Sequence, residues 1–319
     1  MTRQGTTRRG LLQSSAVLGP LAAATSFGIA QAAAANGGSA VSTAAAGVMP
    51  LEPPPSGRIA VAFPISKDAI VIDFAGPWEV FLNASMIGAD GSMDMSMRRG
   101  FQLYTVAETS DPVETFGGMK VTPDYTFATA PPPRMIVIPA QGGDGEAMID
   151  WIRKASAHTD LTMSICTGAF TLAKTGLLSG KSATTHHSAY AMLAMQYPDI
   201  HVRRGYRFVD EGAIASSGGL TCGIDLAFHV VERYFGRRRA LLTASAMEYQ
   251  GAGWLDASGA DNAIYAEAAR GPTCAVCGMA VAAGTPMTSR YRARTYYFCS
   301  ANHKTLFDKD PEQALRLAA

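Results

Sequence analysis

The sequence lacks the features that mark several large classes of protein. No unit of about 20 to 50 residues repeats along the chain, which excludes a solenoid. Charged residues make up only 17% of the 319 residues and the formal net charge is +1, so we expect no nucleic-acid partner. The one basic cluster, Arg237–Arg238–Arg239, is better explained as the cap of a helix end. The remaining composition is typical of a globular protein.

The N-terminal segment has the pattern of an export signal. Arg8 and Arg9 precede a weakly apolar run that ends in Ala30–Gln31–Ala32, which is typical of a twin-arginine signal peptide over residues 1–32. A membrane anchor is the alternative, but Ser, Gly, Pro and Gln dilute the run, and a spanning helix needs about 20 apolar residues. No later run is long enough to cross a bilayer. We therefore expect a periplasmic or secreted protein with no membrane contact after signal removal.

Two low-complexity segments divide the rest of the chain. Residues 33–57 are rich in Ala, Gly, Ser and Pro and are predicted to be a flexible linker. Residues 256–271 are predicted to be a second linker. Between them, residues 58–255 have the length of one typical domain. Residues 272–319 form a small C-terminal domain.

Apolar strands alternate with amphipathic helices in the large domain. The predicted strands are 58–63, 101–108, 134–140 and 161–165, and the predicted helices include 75–85, 145–158 and 224–235. This alternation is typical of an α/β fold whose mostly parallel sheet is covered on both faces. Ligands bind at the carboxyl ends of the strands in such sheets. Cys166 follows directly on one of these strands.

The residues around Cys166 are suited to a sharp turn from strand to helix. Ser164 lies two residues before the cysteine and Gly168 two residues after it, which permits a tight turn that exposes the side chain. The amides at the start of the next helix are expected to favour the thiolate and to lower the thiol pKa below about 8.5. The alternative is a buried structural cysteine.

Five stretches together resemble the DJ-1/PfpI superfamily, the cysteine relatives of class I glutamine amidotransferases, and within it the isonitrile hydratase branch. They are "SICTGAFTLAKTGLLSGKSATTHHSAY", "VIDFAGPWEVF", "VTPDYTF", "FVDEGAIASSGGLTCGIDLAFHVVERYFG" and "EYQ". The resemblance covers about residues 58 to 255. It implies a flavodoxin-like αβα sandwich, a homodimer, a small-molecule substrate and no cofactor in this domain.

The resemblance also implies a catalytic set of Cys166, Asp73 and Thr167. In an isonitrile hydratase, a lyase, the thiolate attacks the terminal carbon of the isonitrile and the thioimidate is hydrolysed to an N-substituted formamide. Asp73 would then shuttle a proton, which requires a pKa raised by burial, and Thr167 would position substrate or water. Asp73 as a helix N-cap is the structural alternative. Because Thr167 replaces the His of the protease-like branch, peptidase activity is less favoured.

The loop predicted to bind substrate or oxyanion departs from the family pattern. Ala140 and Gln141 stand where many relatives have a Gly pair. The residues predicted to line this site are Gly142, Gly143, Gly168 and His186. If His186 and His187 lie on a strand they point to opposite faces, so at most one reaches Cys166. Cys222 is interpreted as a packing residue, with a redox partner for Cys166 as the alternative.

Other functions of the superfamily remain open. It supplies ligand-sensing domains to AraC-type regulators, but the sequence shows no helix-turn-helix pair, and an exported protein does not meet chromosomal DNA. A non-catalytic binder of small molecules and metal is one alternative. A different DJ-1-type activity, glyoxalase-like or amide hydrolysis, is another.

The C-terminal domain carries three of the five cysteines. Cys274, Cys277, Cys299 and His303 have zinc-ribbon-like spacing, and three thiolates with one imidazole suit Cu(I) or Zn(II). A core this small also needs a staple. The stretches "CGM", "YYFCS" and "KTLFDKDPEQAL" resemble YHS and TRASH-type metal-binding domains. A Cys274–Cys277 disulfide is the alternative, and Met279 is either a thioether ligand or a core residue.

Overall fold

The computed structural model of the protein describes residues 49–256, 272–278, 281 and 287–318. These residues belong to one compact unit. The predicted signal peptide, most of the two predicted linkers and Met279 lie outside the described residues. The end of the first predicted linker contacts the large domain, because the Leu51 amide donates to the Arg233 carbonyl at 2.9 Å and the Arg233 side chain donates to the Met49 carbonyl at 2.8 Å.

A seven-stranded sheet forms the centre of the large domain. The strands of this domain are, in chain order, β1 (Ile59–Pro64), β2 (Phe101–Ala107), β3 (Val113–Glu114), β4 (Lys120–Val121), β5 (Tyr125–Thr126), β6 (Met135–Ile138), β7 (Leu161–Ile165), β8 (Ser182–Ala183), β9 (His201–Val202), β10 (Phe208–Asp210) and β11 (Ile214–Ser217). Strands β3 and β4, and strands β8 and β9, form two separate two-stranded sheets. The order in the sheet is β10-β11-β7-β6-β1-β2-β5. All neighbours are parallel except β10 and β11.

Helices cover both faces of this sheet. They are α1 (Val71–Ser85), α2 (Glu146–Ser156), α3 (Gly168–Lys174), α4 (Tyr190–Gln196), α5 (Cys222–Phe235) and α6 (Arg237–Ala246). Strand β6 shows how the layers form: Met135 and Val137 belong to the buried cluster that includes α1, α5 and α6 residues, while Ile136 and Ile138 belong to the cluster of α2 and α3. Burying each such side chain stabilises the fold by about 1.5–3 kcal/mol. The predicted αβα sandwich with a mostly parallel sheet is confirmed.

Each of the three predicted helices differs from the structure by one to four residues at one or both ends, and α2 ends at Ser156, two residues before the predicted end. The first helix begins at Val71, four residues before the predicted start at 75. Pro77 lies inside it, and since proline has no amide hydrogen, the sequence pattern favoured a start close to Pro77. The consequence is that Asp73 lies in the first turn of α1 and not in the loop before it. The last long helix, α5, begins at Cys222, two residues before the predicted start.

The described part of the C-terminal domain is a hairpin followed by two helices. Its elements are β12 (Met287–Tyr291), β13 (Arg294–Phe298), α7 (Ala301–Lys309) and α8 (Pro311–Ala318). Phe298 and Phe307 pack at its centre, each 1% exposed, with ring centroids 5.1 Å apart. This core is small, so the cysteine cluster described below adds an important set of contacts. Among the described residues, no helix has the length and apolar character needed to cross a bilayer.

Candidate functional site

Cys166 lies at the carboxyl end of β7 in a left-handed backbone conformation. Its φ is +58°, which non-glycine residues rarely adopt and which costs of order 1–3 kcal/mol. Two hydrogen bonds hold the residue there: its amide donates to the Gly218 carbonyl at 3.0 Å, and the Thr185 hydroxyl donates to its carbonyl at 2.8 Å. The turn therefore places Cys166 at the carboxyl end of the sheet, as predicted, but the residue is buried and is not exposed by the turn.

Gly168 permits this turn through a close backbone approach. A Cβ on Gly168 would lie 2.4 Å from the Ile138 carbonyl oxygen and 2.8 Å from that of Pro139. Backbone atoms cannot move aside as a flexible side chain can, so only glycine fits here. Gly168 thus positions the first turn of α3, and the structure places its Cα against β6.

Asp73 is the carboxylate beside Cys166. It is fully buried, and it lies close enough to the Cys166 thiol for each group to shift the pKa of the other. Its Oδ2 accepts from the Ala140 amide and its Oδ1 from the Leu220 amide, each at 3.2 Å. These amides belong to two loops that are far from α1 in the sequence, and the N-cap of α1 is Ile70. Asp73 is therefore not a helix cap, and the structure brings Cys166 and Asp73 together.

The expected lowering of the Cys166 pKa is wrong. Burial, followed by the negative charge of Asp73, raises the pKa of this thiol to about 12. Cys166 is only 7% exposed, and α3 is a short helix of 7 residues. Desolvation and a like charge therefore outweigh the field of the helix amides. Burial also raises the pKa of Asp73 to about 6. In the resting state near neutral pH, the sulfur keeps its proton and Asp73 is ionised.

Three donors surround the sulfur of Cys166. They are the backbone amide and the hydroxyl of Thr167 and the amide of Leu220, and each of them lowers the thiol pKa. These donors stabilise negative charge on sulfur when the proton leaves. The structure thus places Thr167 next to the Cys166 sulfur.

Sequence analysis missed Leu220 and Thr185. Leu220 has φ +55° and is 43% exposed. It contributes to the site through its backbone amide, which donates to Asp73. Thr185 acts through one hydroxyl group on the Cys166 backbone. The Gly pair that precedes Leu220 in "SSGGLT" is the signal that could have indicated a tight loop at this point.

An open cavity of about 690 Å³ adjoins this constellation. From the large domain it is lined by Gln141, Asp144, Thr167, Phe170, Thr171, Lys174, His186, His187, Ser188, Ala189, Met192 and Gln196, and from the C-terminal domain by Cys299, Ser300, Asn302 and His303. The charged pair in this lining, Lys174 and Asp144, is joined by an ion pair of 2.7 Å. The cavity is large enough for a small organic molecule.

The expectation that His186 and His187 point to opposite faces is wrong. They do not lie on a strand: His186 is the N-cap of a 3₁₀ turn, His187–Ala189. Both imidazoles line the cavity, and their ring centroids are 4.0 Å apart. The His186 Nδ1 lies 2.7 Å from the Ser188 hydroxyl, and burial lowers the pKa of His186. His186 is therefore a neutral residue at the edge of the cavity.

Gly142 and Gly143 lie against the loop that follows β1. The Gly142 amide donates to the Lys67 carbonyl at 3.0 Å, so it is engaged within the protein. A Cβ on Gly143 would lie 3.1 Å from the Ser66 hydroxyl oxygen. The neighbouring Gln141 lines the cavity instead, and its Oε1 accepts from the Ser66 amide at 2.7 Å. A side chain thus occupies the position where many relatives have glycine.

Cys222 is buried at the start of α5. A Cβ on Gly218 would lie 3.1 Å from its sulfur, so it packs under the loop that also contacts Cys166. All five cysteines lie among the described residues, and none of them forms a disulfide.

Cys274, Cys277, Cys299 and His303 form a compact cluster in the C-terminal domain. Their potential ligand atoms all lie within 4.8 Å of one another. The Cys277 and Cys299 sulfurs are 3.6 Å apart, and the His303 Nδ1 is 3.2 Å from the Cys299 sulfur. A tetrahedral site with metal–sulfur bonds of about 2.3 Å has ligand–ligand distances of about 3.8 Å. The spacing of the four donors fits such a site.

Two groups from the large domain support this cluster. The His303 Nε2 donates to the Ser188 carbonyl at 2.7 Å, which leaves the Nδ1 lone pair directed at the sulfurs. Arg204 donates to the carbonyl of Val276, between Cys274 and Cys277, at 3.1 Å. The cluster therefore lies where the two domains meet.

Comparison with known proteins agrees with the fold. The profile of the DJ-1/PfpI family matches residues 60–233, which include Asp73 and Cys166. The chain belongs to the DJ-1/PfpI family. An isonitrile hydratase of Pseudomonas putida is 30% identical over 197 residues, which cover 60% of this chain and 79% of that enzyme. Protein DJ-1alpha of Drosophila melanogaster is 28% identical over 183 residues, which cover 52% of this chain and 83% of the relative.

A solved structure shows the same fold. A THiJ/PfpI family protein from Pseudomonas syringae superposes with a TM-score of 0.55 at 20% identity, covering 83% of this chain and 92% of that one. At this identity the likeness concerns the architecture of the DJ-1/PfpI domain alone.

Proposed function

We propose that the protein is a cysteine-dependent hydratase that converts isonitriles to N-substituted formamides. The observation that carries this proposal is the buried carboxyl group of Asp73 beside the Cys166 thiol, because burial raises the Asp73 pKa to about 6. A carboxylate with this pKa accepts a proton near neutral pH and returns it readily. The similarity to an isonitrile hydratase over most of that enzyme's length supports the same chemistry.

The proposed reaction begins with transfer of the thiol proton to Asp73 as the sulfur attacks the terminal carbon of R–N≡C. A carbon–sulfur bond forms, and Asp73 returns the proton to the same carbon to give the thioimidate R–N=CH–S–Cys. Thr167 and the Leu220 amide, which lower the thiol pKa, stabilise the charge on sulfur during the attack.

Water completes the cycle. It adds to the thioimidate carbon, and one of its protons passes to nitrogen. The carbon–sulfur bond then breaks, the remaining hydroxyl proton returns to sulfur by way of Asp73, and R–NH–CHO leaves. The balance is one isonitrile and one water consumed for each formamide, with the enzyme regenerated.

The test is direct. Purified protein is mixed with an alkyl isonitrile and the formamide is quantified by mass spectrometry, with Cys166→Ala and Cys222→Ala in parallel. We expect product from wild type and from Cys222→Ala, and none above background from Cys166→Ala. Absence of product from wild type, or equal product from Cys166→Ala, would rule out the hydratase.

The second candidate is a small-molecule binder without turnover. The favouring observation is the protonated state of Cys166, whose pKa burial and Asp73 raise to about 12. Calorimetry separates the two functions: a binder gives a saturable heat with isonitriles or with carbonyl compounds and releases no product. A hydratase gives heat that scales with formamide formed.

We also propose that Cys274, Cys277, Cys299 and His303 hold one soft or borderline metal ion, Zn(II) or Cu(I). The absence of disulfides among the described cysteines, the donor spacing and the imidazole held by Ser188 support this set. When bound, the ion cross-links a small core. Metal analysis of protein from zinc- and copper-supplemented cells tests it. We expect about one ion per chain, and loss of that ion in a Cys274→Ser/Cys277→Ser variant but not in Cys222→Ser.

Export through the twin-arginine pathway and assembly as a homodimer are proposals that follow from the sequence and the family. Fractionation of cells that express wild type or an Arg8→Lys/Arg9→Lys variant tests export: we expect periplasmic protein only from wild type. Light scattering during size exclusion tests the dimer.

A further inference from the structure

The cavity next to Cys166 has walls from both domains. On the large-domain side, three lining residues directly follow residues that position the catalytic pair. Thr167 follows Cys166, and Gln141 follows Ala140, whose amide donates to Asp73. His186 follows Thr185, whose hydroxyl donates to the Cys166 carbonyl. The loops that hold the catalytic pair therefore continue into the lining of this cavity.

The opposite wall comes from the C-terminal domain. It consists of Cys299 and the start of α7, with Ser300, Asn302 and His303. Asn302 is solvent-exposed, so its side chain is free to meet a bound molecule. The His303 hydrogen bond to the Ser188 carbonyl ties this wall to the large domain at the cavity edge. Two of the four wall residues are also donors of the cysteine–histidine cluster.

The character of the lining indicates what the cavity accepts. Phe170, Ala189 and Met192 offer apolar surface. The one acidic and one basic side chain in the lining, Asp144 and Lys174, neutralise each other at 2.7 Å. An uncharged, mainly apolar group is therefore favoured over an ionic one.

We propose that the C-terminal domain is the far wall of the Cys166 substrate cavity, that Asn302 limits the size of the uncharged substituent the cavity accepts, and that the metal cluster holds this wall in place. The proposal deepens the hydratase function and rests on it for the identity of the substrate. The metal here has a positioning effect on α7 and takes no part in bond making or breaking.

The decisive experiment measures access to the Cys166 sulfur and needs no turnover. Full-length metal-loaded protein reacts with a small reagent, iodoacetamide, or a bulky one, N-(1-pyrenyl)maleimide, and the label on Cys166 is quantified by peptide mass spectrometry. The variants are Asn302→Trp and Lys304→Trp. Since residues two apart on a helix point to nearly opposite faces, Lys304 is a matched control outside the cavity.

We expect Asn302→Trp to slow pyrenylmaleimide labelling of Cys166 by about tenfold or more, the scale on which a filled pocket rejects an oversized group. Iodoacetamide labelling should change little, and Lys304→Trp should change neither rate. Equal metal content in the three proteins shows that the domain is folded. Unchanged bulky labelling in Asn302→Trp would overturn the proposed wall.

Metal removal tests the second part. Chelation of wild-type protein should raise the rate of bulky labelling at Cys166, because α7 is no longer fixed, and re-addition of zinc should restore it. An unchanged rate after chelation would overturn the positioning effect of the metal.

Isonitriles of two sizes connect the wall to catalysis. Asn302→Trp should lose kcat/KM for cyclohexyl isonitrile and keep it for methyl isonitrile. If wild type hydrates neither compound, the hydratase proposal fails, while the labelling results still decide whether the wall exists. If wild type hydrates both compounds and Asn302→Trp changes kcat/KM for both equally, only the inference about substrate size fails.

Discussion

Replacement of Asp73 by asparagine is expected to move two reactivities of Cys166 in opposite directions. The charge of Asp73 is the second largest cause, after burial, of the high Cys166 pKa. Asparagine keeps the size and one acceptor oxygen but removes the charge. The thiolate fraction at a given pH should therefore rise, whereas hydration, which needs a base at this position, should fall.

The expected magnitudes differ enough to be measured. Since the thiol pKa is about 12 in wild type, a decrease of about one unit on loss of the like charge gives on the order of ten times more thiolate at mildly alkaline pH. Alkylation by iodoacetamide should accelerate by that factor. Loss of a positioned proton carrier should lower the hydration rate by about 10²- to 10⁴-fold.

The assay pairs alkylation of Cys166, located by peptide mass spectrometry, with formamide production by the same preparations. Asp144→Asn is the control, because Asp144 lines the cavity yet is not among the groups that shift the Cys166 pKa. Parallel loss of alkylation and hydration in Asp73→Asn, in a protein that unfolds at the wild-type temperature, would refute the reasoning. It would mean that Asp73 assists ionisation of the sulfur in the resting state.

Three further predictions follow from the same geometry. The hydration rate should fall as the pH drops below about 6, because Asp73 becomes protonated and can no longer accept the thiol proton; a flat kcat/KM profile through this range would contradict it. Gly168→Ala should lower the free energy of unfolding by about 1–3 kcal/mol, because the added Cβ clashes with backbone carbonyls. The control Gly145→Ala, whose Cβ meets nothing within 4 Å, should change it by less than about 1 kcal/mol. Urea unfolding measures both, and equal losses of stability would count against the clash. Thr185→Val should lower the free energy of unfolding by about 1–3 kcal/mol, because the Cys166 carbonyl loses the hydroxyl that donates to it at 2.8 Å. Ser164→Ala removes a buried hydroxyl that has no partner among the described residues, so it should leave the free energy of unfolding nearly unchanged in the same assay.

The parts of the structure that depend on local pattern were predictable from the sequence. The strand 161–165 matches β7, and the predicted 134–140 contains β6, because continuous apolar runs between turn residues are typical of buried parallel strands. The cluster of three cysteines and one histidine was also predictable, since its four residues come from two short segments whose spacing limits their arrangement.

The electrostatics of the site were not predictable in the same way. The sign of the Cys166 pKa shift depends on how deeply the turn is buried and on a carboxylate from α1, and neither is a local property. The common orientation of His186 and His187 depends on a 3₁₀ turn where the sequence indicated a strand. Leu220 acts through its amide hydrogen, which every residue except proline has, so its identity carries no signal.

The contacts of Ser188 with His303 and of Arg204 with Val276 bear on how this chain can be divided. A peptide beginning after residue 256 would keep every sulfur and the imidazole yet lose the carbonyl that orients the ring and the guanidinium that anchors the first pair of cysteines. We therefore expect the isolated C-terminal domain to have a lower affinity for a metal ion than the same four ligands have in the full-length protein. Fusing the C-terminal domain to another member of the superfamily would transfer the cysteines and His303 without the two groups that hold them in place. The loop around Ser188 and the segment around Arg204 would have to be transferred as well.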